Sequence, residues 1–445
     1  MKSMIKFPPV VWLGISILVG AGLLNLTHLA KSHNTQDMSE GNINFIESKS
    51  TVEKKLGIQL MKKEKYEAAA SQFEASLDKD RNDPEALIYL NNAKAGKDFV
   101  KIAVVVPISS NLNISQEILR GVAQAQDKIN RQGGIQGKFL KVVIADDANQ
   151  PERSQKIANQ LVADEQILAV VGHNASNASL AAAPIYQKNE LVMITATSFA
   201  NNLSNFGSYI FRVVPSTKEM AKPLADYITS KSKNTKLAIC YDSEAPDNVS
   251  FKDEFLASFL AKGGILVPLV CDLSSPKFDP PMMIDQAVNQ GAKALLMTPH
   301  VDRLDQAILL AEANRHQLTL LSSPTLFTIK TLEQGKKEVE GLLLSVPWYP
   351  QKNNAFVADS SRYWGARVNW RTAMAYDATL AIAEGLKNHL TRYSLKYTLH
   401  SPDFVVSGAT GTFRFLPSGD RLGSVYLTQI QKTSRGNDFV LIQSP

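Results

Sequence analysis

Short apolar runs alternate with helical segments from Lys101 onward, and this alternation constrains the fold more than any other feature of the chain. The runs have the length of buried parallel strands, and they read KIAVVVP, LKVVIAD, ILAVVG, LVMITAT, LAICYD, ILVPLVC and ALLMTP. Helical segments of about 12–20 residues separate them. The pattern predicts an α/β fold in which parallel sheets are covered by helices on both faces. Because about 345 residues are too many for one sheet, we expect two lobes.

The N-terminus carries the pattern of a membrane segment. Lys2 and Lys6 precede the uncharged run Val10–Leu26, and with its flanks this stretch approaches the roughly 20 residues that cross a bilayer. The lysines would stay in the cytoplasm and the rest of the chain would be exported. Residues 1–30 are therefore predicted to be a retained anchor, with a cleaved signal peptide or a buried helix as the alternatives. The polar, aperiodic residues 31–50 are expected to form a linker.

Several functional classes find no support in the composition. The net charge of +6 is spread along the chain without a basic block, which argues against nucleic-acid binding. The seven histidines lack metal-ligand spacing, and neither G-x-S-x-G nor a phosphate-binding loop occurs, so we expect no metal and no cofactor. The missing motifs do not exclude an enzyme, but they leave no sequence argument for one, and we expect a protein that is not an enzyme. Cys240 and Cys271 end or follow apolar runs, and they either bridge neighbouring strands or remain two buried thiols.

Two polar loops follow consecutive predicted strands. His173–Ser176 comes after ILAVVG, and the strand Leu191–Thr195 ends in Ala196, Thr197 and Ser198. The sequence places Ser176 where a hydroxyl caps a helix, and free N–H groups at a helix start form a neutral site for a carboxylate. Such loops meet in the crevice at the carboxyl ends of the strands. They are suited to binding an anion rather than to reacting with it.

A helical segment precedes the α/β region. Residues 51–98 contain Leu56, Gly57, Tyr66 and Phe73 at helical spacing, followed by NDPEALIYL with a strong helix start. This segment resembles one tetratricopeptide repeat with a following helix. A single repeat needs a surface to cover its apolar face, which is expected to be the next domain, a second chain or another protein.

Much of the remaining chain resembles a known family. The stretches IAVVVPIS, ILAVVGHNAS, LVMITATSFANNLS and VNWRTAMAYDATLAIAEGL are similar to the periplasmic solute-binding proteins of ABC importers, in the branched-chain amino-acid-binding (type I) group. The resemblance implies two Rossmann-like lobes joined by a three-crossing hinge, with a ligand clamped between them. It places lobe 1 at residues 99–217 and 347–425, and lobe 2 at residues 218–346 and 426–445.

The resemblance also implies ligand contacts on the first lobe. Ser176, with the backbone of Ala175 and Ser176, would bind a ligand carboxylate, and the Thr197 carbonyl would accept from an ammonium group. Ser198 lies in the same loop. Ser109 and Ser110 are expected to line the cleft.

Two departures from the family bear on the ligand. Phe199 stands where the family often has a threonine, and it is expected to line the cleft. The stretch Leu320–Thr328 (LLSSPTLFT) lacks the acidic residue that usually pairs with the ammonium group. A desolvated ammonium without a counter-charge costs several kcal/mol. Asp247, near the position of an expected tyrosine, is the candidate replacement.

The sequence therefore predicts an extracytoplasmic receptor that binds an amino-acid-like or other small carboxylate and presents it to ABC permease subunits. Its alternative is a scaffold or regulator with a degenerate solute-binding fold, which recruits a protein partner through the tetratricopeptide-like segment. Helical repeats joined to this fold are known in lipoprotein activators of peptidoglycan synthases, although this chain has no N-terminal cysteine to lipidate.

Overall fold

The structure of the protein is a computed structural model that describes residues 37–231, 234–351, 353–434 and 436–443. The predicted membrane segment at residues 1–30 lies outside these ranges, so anchor and signal peptide both stay predictions. In the part of the chain that is described, no helix is both long and apolar enough to span a bilayer.

The first sheet is built from the amino-terminal half of the chain. Its strands are β1 (Met38–Ser39), β2 (Phe99–Val106), β3 (Phe139–Asp146), β4 (Ile167–Val171), β5 (Val192–Thr195) and β6 (Ile210–Arg212). They lie in the order β1-β3-β2-β4-β5-β6, and all neighbours are parallel except β1 on the edge of β3. Beyond Phe99, every residue of β2 is buried, which explains its nearly continuous apolar sequence.

The second sheet combines parallel and antiparallel strands. Its members are β7 (Lys236–Tyr241), β8 (Ile265–Leu266), β9 (Ala294–Thr298), β10 (Thr319–Ser322) and β11 (Leu343–Val346), together with β14 (Tyr426–Thr433) and β15 (Gly436–Gln443), while β12 (Val406–Gly408) and β13 (Gly411–Phe413) form a separate hairpin. The order is β15-β14-β11-β10-β9-β7-β8, and β14 runs antiparallel to both of its neighbours while the other pairs are parallel. The chain thus leaves one sheet between Arg212 and Lys236, leaves the other after Val346 and returns at Tyr426.

Helices cover both sheets. They are α1 (Val52–Lys62), α2 (Tyr66–Lys79), α3 (Pro84–Lys94), α4 (Leu112–Arg131), α5 (Pro151–Ala163), α6 (Ser176–Lys188), α7 (Thr217–Lys231), α8 (Pro246–Ala261), α9 (Pro280–Asn289), α10 (Leu304–Asn314), α11 (Ile329–Gly335), α12 (Ala355–Trp364), α13 (Trp370–Gly385) and α14 (Arg392–Leu399). Helix α13 packs closely on α4 because Gly121 has no side chain: a Cβ there would lie 2.2 Å from the Thr372 carbonyl oxygen. This close approach brings the start of α13 to the first lobe.

The N-terminal helices pack on the first lobe. The Asn92 side chain of α3 donates to the Val142 carbonyl oxygen (2.8 Å) and accepts from the Val142 amide (2.9 Å), so it pairs with the backbone of β3. From the sequence we expect the next domain, a second chain or another protein to cover the apolar face of these helices. In the structure it is the next domain, the first lobe, that covers them. The linker expected at residues 31–50 does not hold for residues 37–50, because β1 pairs with β3 and the buried Asp37 accepts from Arg153.

The run ILVPLVC differs from its prediction as a buried strand. It forms a strand only at Ile265 and Leu266, which are 42% and 40% exposed on the sheet edge. The Val267 amide still donates to the Leu237 carbonyl oxygen (2.8 Å), and Pro268, which has no N–H group, is tolerated on this outer edge of the sheet. Cys240 in β7 and Cys271 form a disulfide with their Cα atoms 4.6 Å apart, which decides between a bridge and two free thiols.

Candidate functional site between the lobes

The carboxyl ends of strands from both sheets meet around a small cavity. Strands β4 and β5 of the first lobe and β9 of the second lobe end beside it, and α13 begins there. Its volume is about 20 Å³, and the lining residues are Asn174, Ala175, Thr197, Phe199, Asp247, His300, Val301, Thr325, Trp370 and Arg371. This volume holds about one water, so a larger ligand requires the lobes to separate.

Hydroxyl groups on the first lobe are bonded within the lobe itself. Thr195 and Ser198 both donate to the His173 carbonyl oxygen, at 2.9 and 3.1 Å. The Thr197 hydroxyl donates to the Asn174 carbonyl oxygen at 2.8 Å. These groups therefore hold the two strand-end loops against each other, and their hydroxyls are not free for a ligand.

A buried chain of side chains supports the same loop from beneath. The two ring nitrogens of His173 lie 2.6 Å from Asp147 Oδ2 and 3.0 Å from the Tyr186 hydroxyl. Burial opposes ionisation of Asp147, but the hydrogen bond and charge of His173 outweigh it and lower the pKa of Asp147. This chain fixes the position of Asn174, the first loop residue that lines the cavity.

The first turn of α6 presents backbone amides. The N-cap of this helix is Ala175 rather than Ser176, and the Ser176 hydroxyl accepts from the Ala200 amide at 3.3 Å. Among the described residues, the N–H groups of Ser176 and Asn177 have no hydrogen-bond acceptor. The amides of this turn, rather than the serine hydroxyl, are thus the groups that can receive an anion.

Arg371 places a buried positive charge at the cavity. Asn369 caps α13 by accepting from the Arg371 amide at 2.9 Å, which sets Arg371 in the first turn. The residue is 2% exposed, and its guanidinium group donates to the carbonyl oxygens of Phe327 (3.0 Å) and Thr325 (3.3 Å). Burial lowers the pKa of Arg371 to about 10, against the favourable charge of Glu117. Within the described chain, no carboxylate oxygen lies within 4.0 Å of it.

Asp247 places a buried negative charge on the other lobe. It lies in the first turn of α8, where a helix favours an acidic side chain, and its Oδ1 accepts from the Asn248 amide at 3.1 Å. Burial raises the pKa of Asp247, although the charge of His300 and the Asn248 amide partly oppose this. No cationic nitrogen of the described residues lies within 4.0 Å of its carboxylate. The cavity therefore contains one positive and one negative charge without direct counter-ions.

Two further lining side chains have free polar atoms. Trp370 is 1% exposed, and its Nε1 has no hydrogen-bond partner among the described residues. The same holds for Nε2 of His300, whose Nδ1 accepts from the Asp302 amide at 3.3 Å. A neutral His300 thus carries its proton on the free Nε2.

The structure brings together half of the residues predicted for the site. Those that line the cavity are Ala175, Thr197, Phe199 and Asp247. Ser110 lines a wider crevice of about 560 Å³ at the mouth between the lobes, and Ser176 and Ser198 lie behind the cavity wall. Ser109 borders neither space, since its amide donates to Asp146 and its hydroxyl accepts from Arg153.

Sequence reasoning missed His300, Trp370 and Arg371. His300 directly follows a predicted strand, and Arg371 is the single charged residue in the first turn of a helix rich in small and apolar residues. Both features could have marked them as candidates, because strand ends and buried charges are common in binding sites. Within the described residues, no cluster of His, Cys, Asp or Glu side chains is arranged to hold a metal ion.

Two sheets that face each other across a polar cavity define a two-lobed binding protein. A sequence profile described as "Periplasmic binding protein" matches residues 100–437, and the chain belongs to this family. The match begins after the N-terminal helices, so the comparisons lend no support to the tetratricopeptide identity predicted for residues 51–98. Nor do they support a protein partner on that segment.

Curated relatives are named as binding proteins. An "Amino acid binding protein" of Pseudomonas aeruginosa is 33% identical over 147 residues, which are 33% of this chain and 39% of the relative. The "Leu/Ile/Val-binding protein" of Escherichia coli K12 is 33% identical over 161 residues, or 36% of this chain and 43% of the relative. The matched part of this chain thus spans less than half the length of either relative.

Solved structures share the fold. A leucine binding protein LivK of Thermotoga maritima superposes with a TM-score of 0.68 at 20% identity, covering 77% of this chain and 99% of that one. A solute binding protein of an ABC transporter from R. palustris, in complex with 4-hydroxybenzoate, superposes with a TM-score of 0.69 at 19% identity, covering 78% and 97%. At this identity the likeness establishes the two-lobed fold alone.

Proposed function

We propose that the protein is the extracytoplasmic solute receptor of an ABC-type importer, and that it binds an amino-acid-like molecule or another small carboxylate between its lobes. The observation that carries the proposal is the interlobe cavity at which Arg371 and Asp247 bury opposite charges without direct counter-ions. A ligand with complementary groups would compensate both charges. The family implies a location outside the cytoplasm, and the Cys240–Cys271 disulfide suits an oxidising compartment.

Binding on this proposal is controlled by separation and closure of the lobes. Few polar contacts cross the mouth of the cleft, among them Asn149 Nδ2 to Asp302 Oδ1 (3.3 Å) and Asn111 Nδ2 to the Val301 carbonyl oxygen (3.4 Å). These long hydrogen bonds at the mouth are weak. Separation of the lobes also breaks shorter ones, from Arg371 to the Phe327 carbonyl oxygen (3.0 Å) and from Asn201 Nδ2 to Glu254 Oε1 (3.0 Å). The ligand then enters, the lobes close over it, and permease subunits recognise the closed form.

Individual ligand contacts follow from the geometry. A carboxylate group would accept from the amides of Ser176 and Asn177 at the start of α6. Thr197 and Phe199 would shape the first-lobe wall, and Asp247 would pair with a basic group from the second lobe. These side chains bind and release the ligand without chemistry.

A second function is a scaffold that no longer binds a solute. The cavity of about 20 Å³ favours it, because neither an amino acid nor an aromatic acid fits that volume. In this case the lobes would stay closed, and the protein would act through its outer surface.

Thermal unfolding of the full chain against amino acids, short amides and small carboxylates tests the receptor. A ligand at 100 times its Kd should add about 2.7 kcal/mol to the free energy of unfolding, which appears as a rise in Tm. Val301→Trp fills the cavity and should abolish that rise. Val270→Trp is the matched control, because Val270 is 92% exposed. A panel without any hit, or a rise that survives Val301→Trp, would contradict the receptor and favour the scaffold.

A further inference from the structure

Three ring or guanidinium side chains with N–H groups and one carboxylate line the cavity. Arg371, Trp370 and His300 each bring N–H groups to its wall, and the last two have free donor nitrogens in the described structure. The Arg371 guanidinium carbon lies 4.4 Å from the centroid of the Trp370 ring, so these two neighbours form one rigid group. Asp247 is the single carboxylate among the lining residues. The balance of groups favours a ligand that is rich in acceptors.

The donors belong to two separate elements. One set consists of the backbone amides that begin α6, at the end of β4. The other set consists of Trp370 and Arg371 at the beginning of α13, with His300 opposite them on the second lobe. A helix N-terminus and a guanidinium group each accommodate one carboxylate. Two donor sets therefore suit two anionic groups.

We propose that the ligand carries two anionic groups, as acidic amino acids and short dicarboxylates do, and that Arg371, with Trp370 and His300, receives one of them. This inference rests on the proposed receptor function and names its substrate class. Arg371 is the specificity-determining residue of the site. Asp247 distinguishes the two ligand types, because an acidic amino acid brings an ammonium group to it and a plain dicarboxylate does not.

An aliphatic amino acid fits these groups poorly. Its side chain would leave the Trp370 and His300 nitrogens without hydrogen-bond partners, and the Arg371 charge without a counter-charge, in a site closed to water. Sites built from hydrogen-bonding groups reject ligands that lack the matching atoms far more strongly than apolar pockets reject a size change. Leucine is therefore the informative comparison ligand.

Calorimetric titration of the full chain tests the inference with L-glutamate, L-aspartate, glutarate, succinate and L-leucine. We expect at least one probe with two carboxylates to bind at least tenfold more tightly than leucine. Arg371→Met should weaken that probe at least tenfold and leave leucine binding unchanged or stronger. Arg371→Lys should give an intermediate loss, because an ammonium group cannot form the paired bonds of a guanidinium group.

Two further variants separate recognition from folding. Arg392→Met is the matched control, since Arg392 also donates only to backbone carbonyls, those of Val162, Asp164 and Ile167, but lies away from the cavity. It should leave every affinity unchanged. Trp370→Phe removes one donor and keeps the ring, so it should weaken the two-carboxylate probe several-fold even where Arg371→Met fails to fold.

The outcomes distinguish the inference from the proposed function. Tighter binding of leucine than of every two-carboxylate probe would overturn the inference and leave the receptor intact. The inference would also fail, again without the receptor, if Arg371→Met or Trp370→Phe bound the acidic probe as tightly as the parent does. If none of the probes binds and the wider panel of solutes also gives no hit, both fail together.

Discussion

Two groups of buried charged side chains in this molecule differ in whether the protein itself supplies the opposite charge. In the N-terminal helices, Lys54 is 0% exposed and its Nζ lies 2.7 Å from both Asp83 Oδ2 and Glu85 Oε2. In the cleft, Arg371 and Asp247 are almost as buried, yet neither has an opposite charge within 4.0 Å among the described residues.

The difference separates structural charges from candidate binding charges. Burial alone would lower the pKa of Lys54, but the charges of Glu85 and Asp83 outweigh burial and raise it. Glu85 also accepts from the amides of Phe45 and Ile46, so the cluster ties the N-terminal segment to the helices. The cleft charges have no such partners, and a ligand is the group that would complete them.

The largest expected change in the free energy of unfolding comes from removing the paired cation, Lys54. Lys54→Met leaves Asp83 and Glu85 buried without a counter-charge and should lower the free energy of unfolding by about 3–5 kcal/mol. Urea unfolding followed by circular dichroism measures the change. Lys55→Met is the control, because Lys55 is exposed on the same helix. A loss below about 1 kcal/mol for Lys54→Met would remove the distinction between the two clusters.

A smaller loss is expected where a polar group of the cleft is already satisfied. The Ser198 hydroxyl lies within hydrogen-bond distance of Ser179 Oγ (2.6 Å) and of two carbonyl oxygens, so Ser198→Ala should cost about 1–2 kcal/mol. Ligand affinity should change less than it does in Arg371→Met. Ser71→Ala, at an exposed hydroxyl, is the control for the unfolding measurement. If Ser198→Ala abolished binding without a stability loss, the hydroxyl would belong to the ligand site.

The smallest effect is a gain that depends on pH. Because burial raises the pKa of Asp247 above its ordinary value of 3.8, the unfolded chain loses this proton first as the pH rises. The contribution of protonated Asp247 to the free energy of unfolding is therefore fully present below pH 3.8, and it is lost as the pH rises through the pKa of Asp247 in the folded protein. Asp247→Asn should consequently raise the free energy of unfolding above that of the parent, and this gain should be larger at about pH 7 than at about pH 4.

Urea unfolding of both proteins at the two pH values measures this difference. Asp285→Asn, which changes an exposed carboxylate, should show no comparable shift. An equal effect of Asp247→Asn at both pH values would mean that a protein group already compensates this charge.

Local sequence predicted much of the fold but only part of the site. The parallel strands β2 to β5 appear as apolar runs because both of their faces are buried, and periodicity detects burial. The prediction makes the short edge strand β8 too long and misses the antiparallel strands β14 and β15. Strands at a sheet edge and half-exposed strands lack a continuous apolar run, which is the signal that the prediction uses. Asp247 is predicted because the stretch that usually supplies the acidic residue of the family lacks one. Arg371 is not predicted, although it lies in the stretch VNWRTAMAYDATLAIAEGL, which supports the resemblance to the same family.

The sequence by itself determined the α/β class, the division into two lobes and the polar strand-end loops, because these depend on residues that are neighbours along the chain. Only the tertiary structure decided which polar groups are left without a hydrogen-bond partner or counter-charge. The hydroxyls of Thr197 and Ser198 donate to a carbonyl oxygen of another loop. Arg371, by contrast, lies at the cavity because α13 packs on α4 at Gly121. Pairing of a buried group depends on atoms that are distant in sequence, and no local pattern records it.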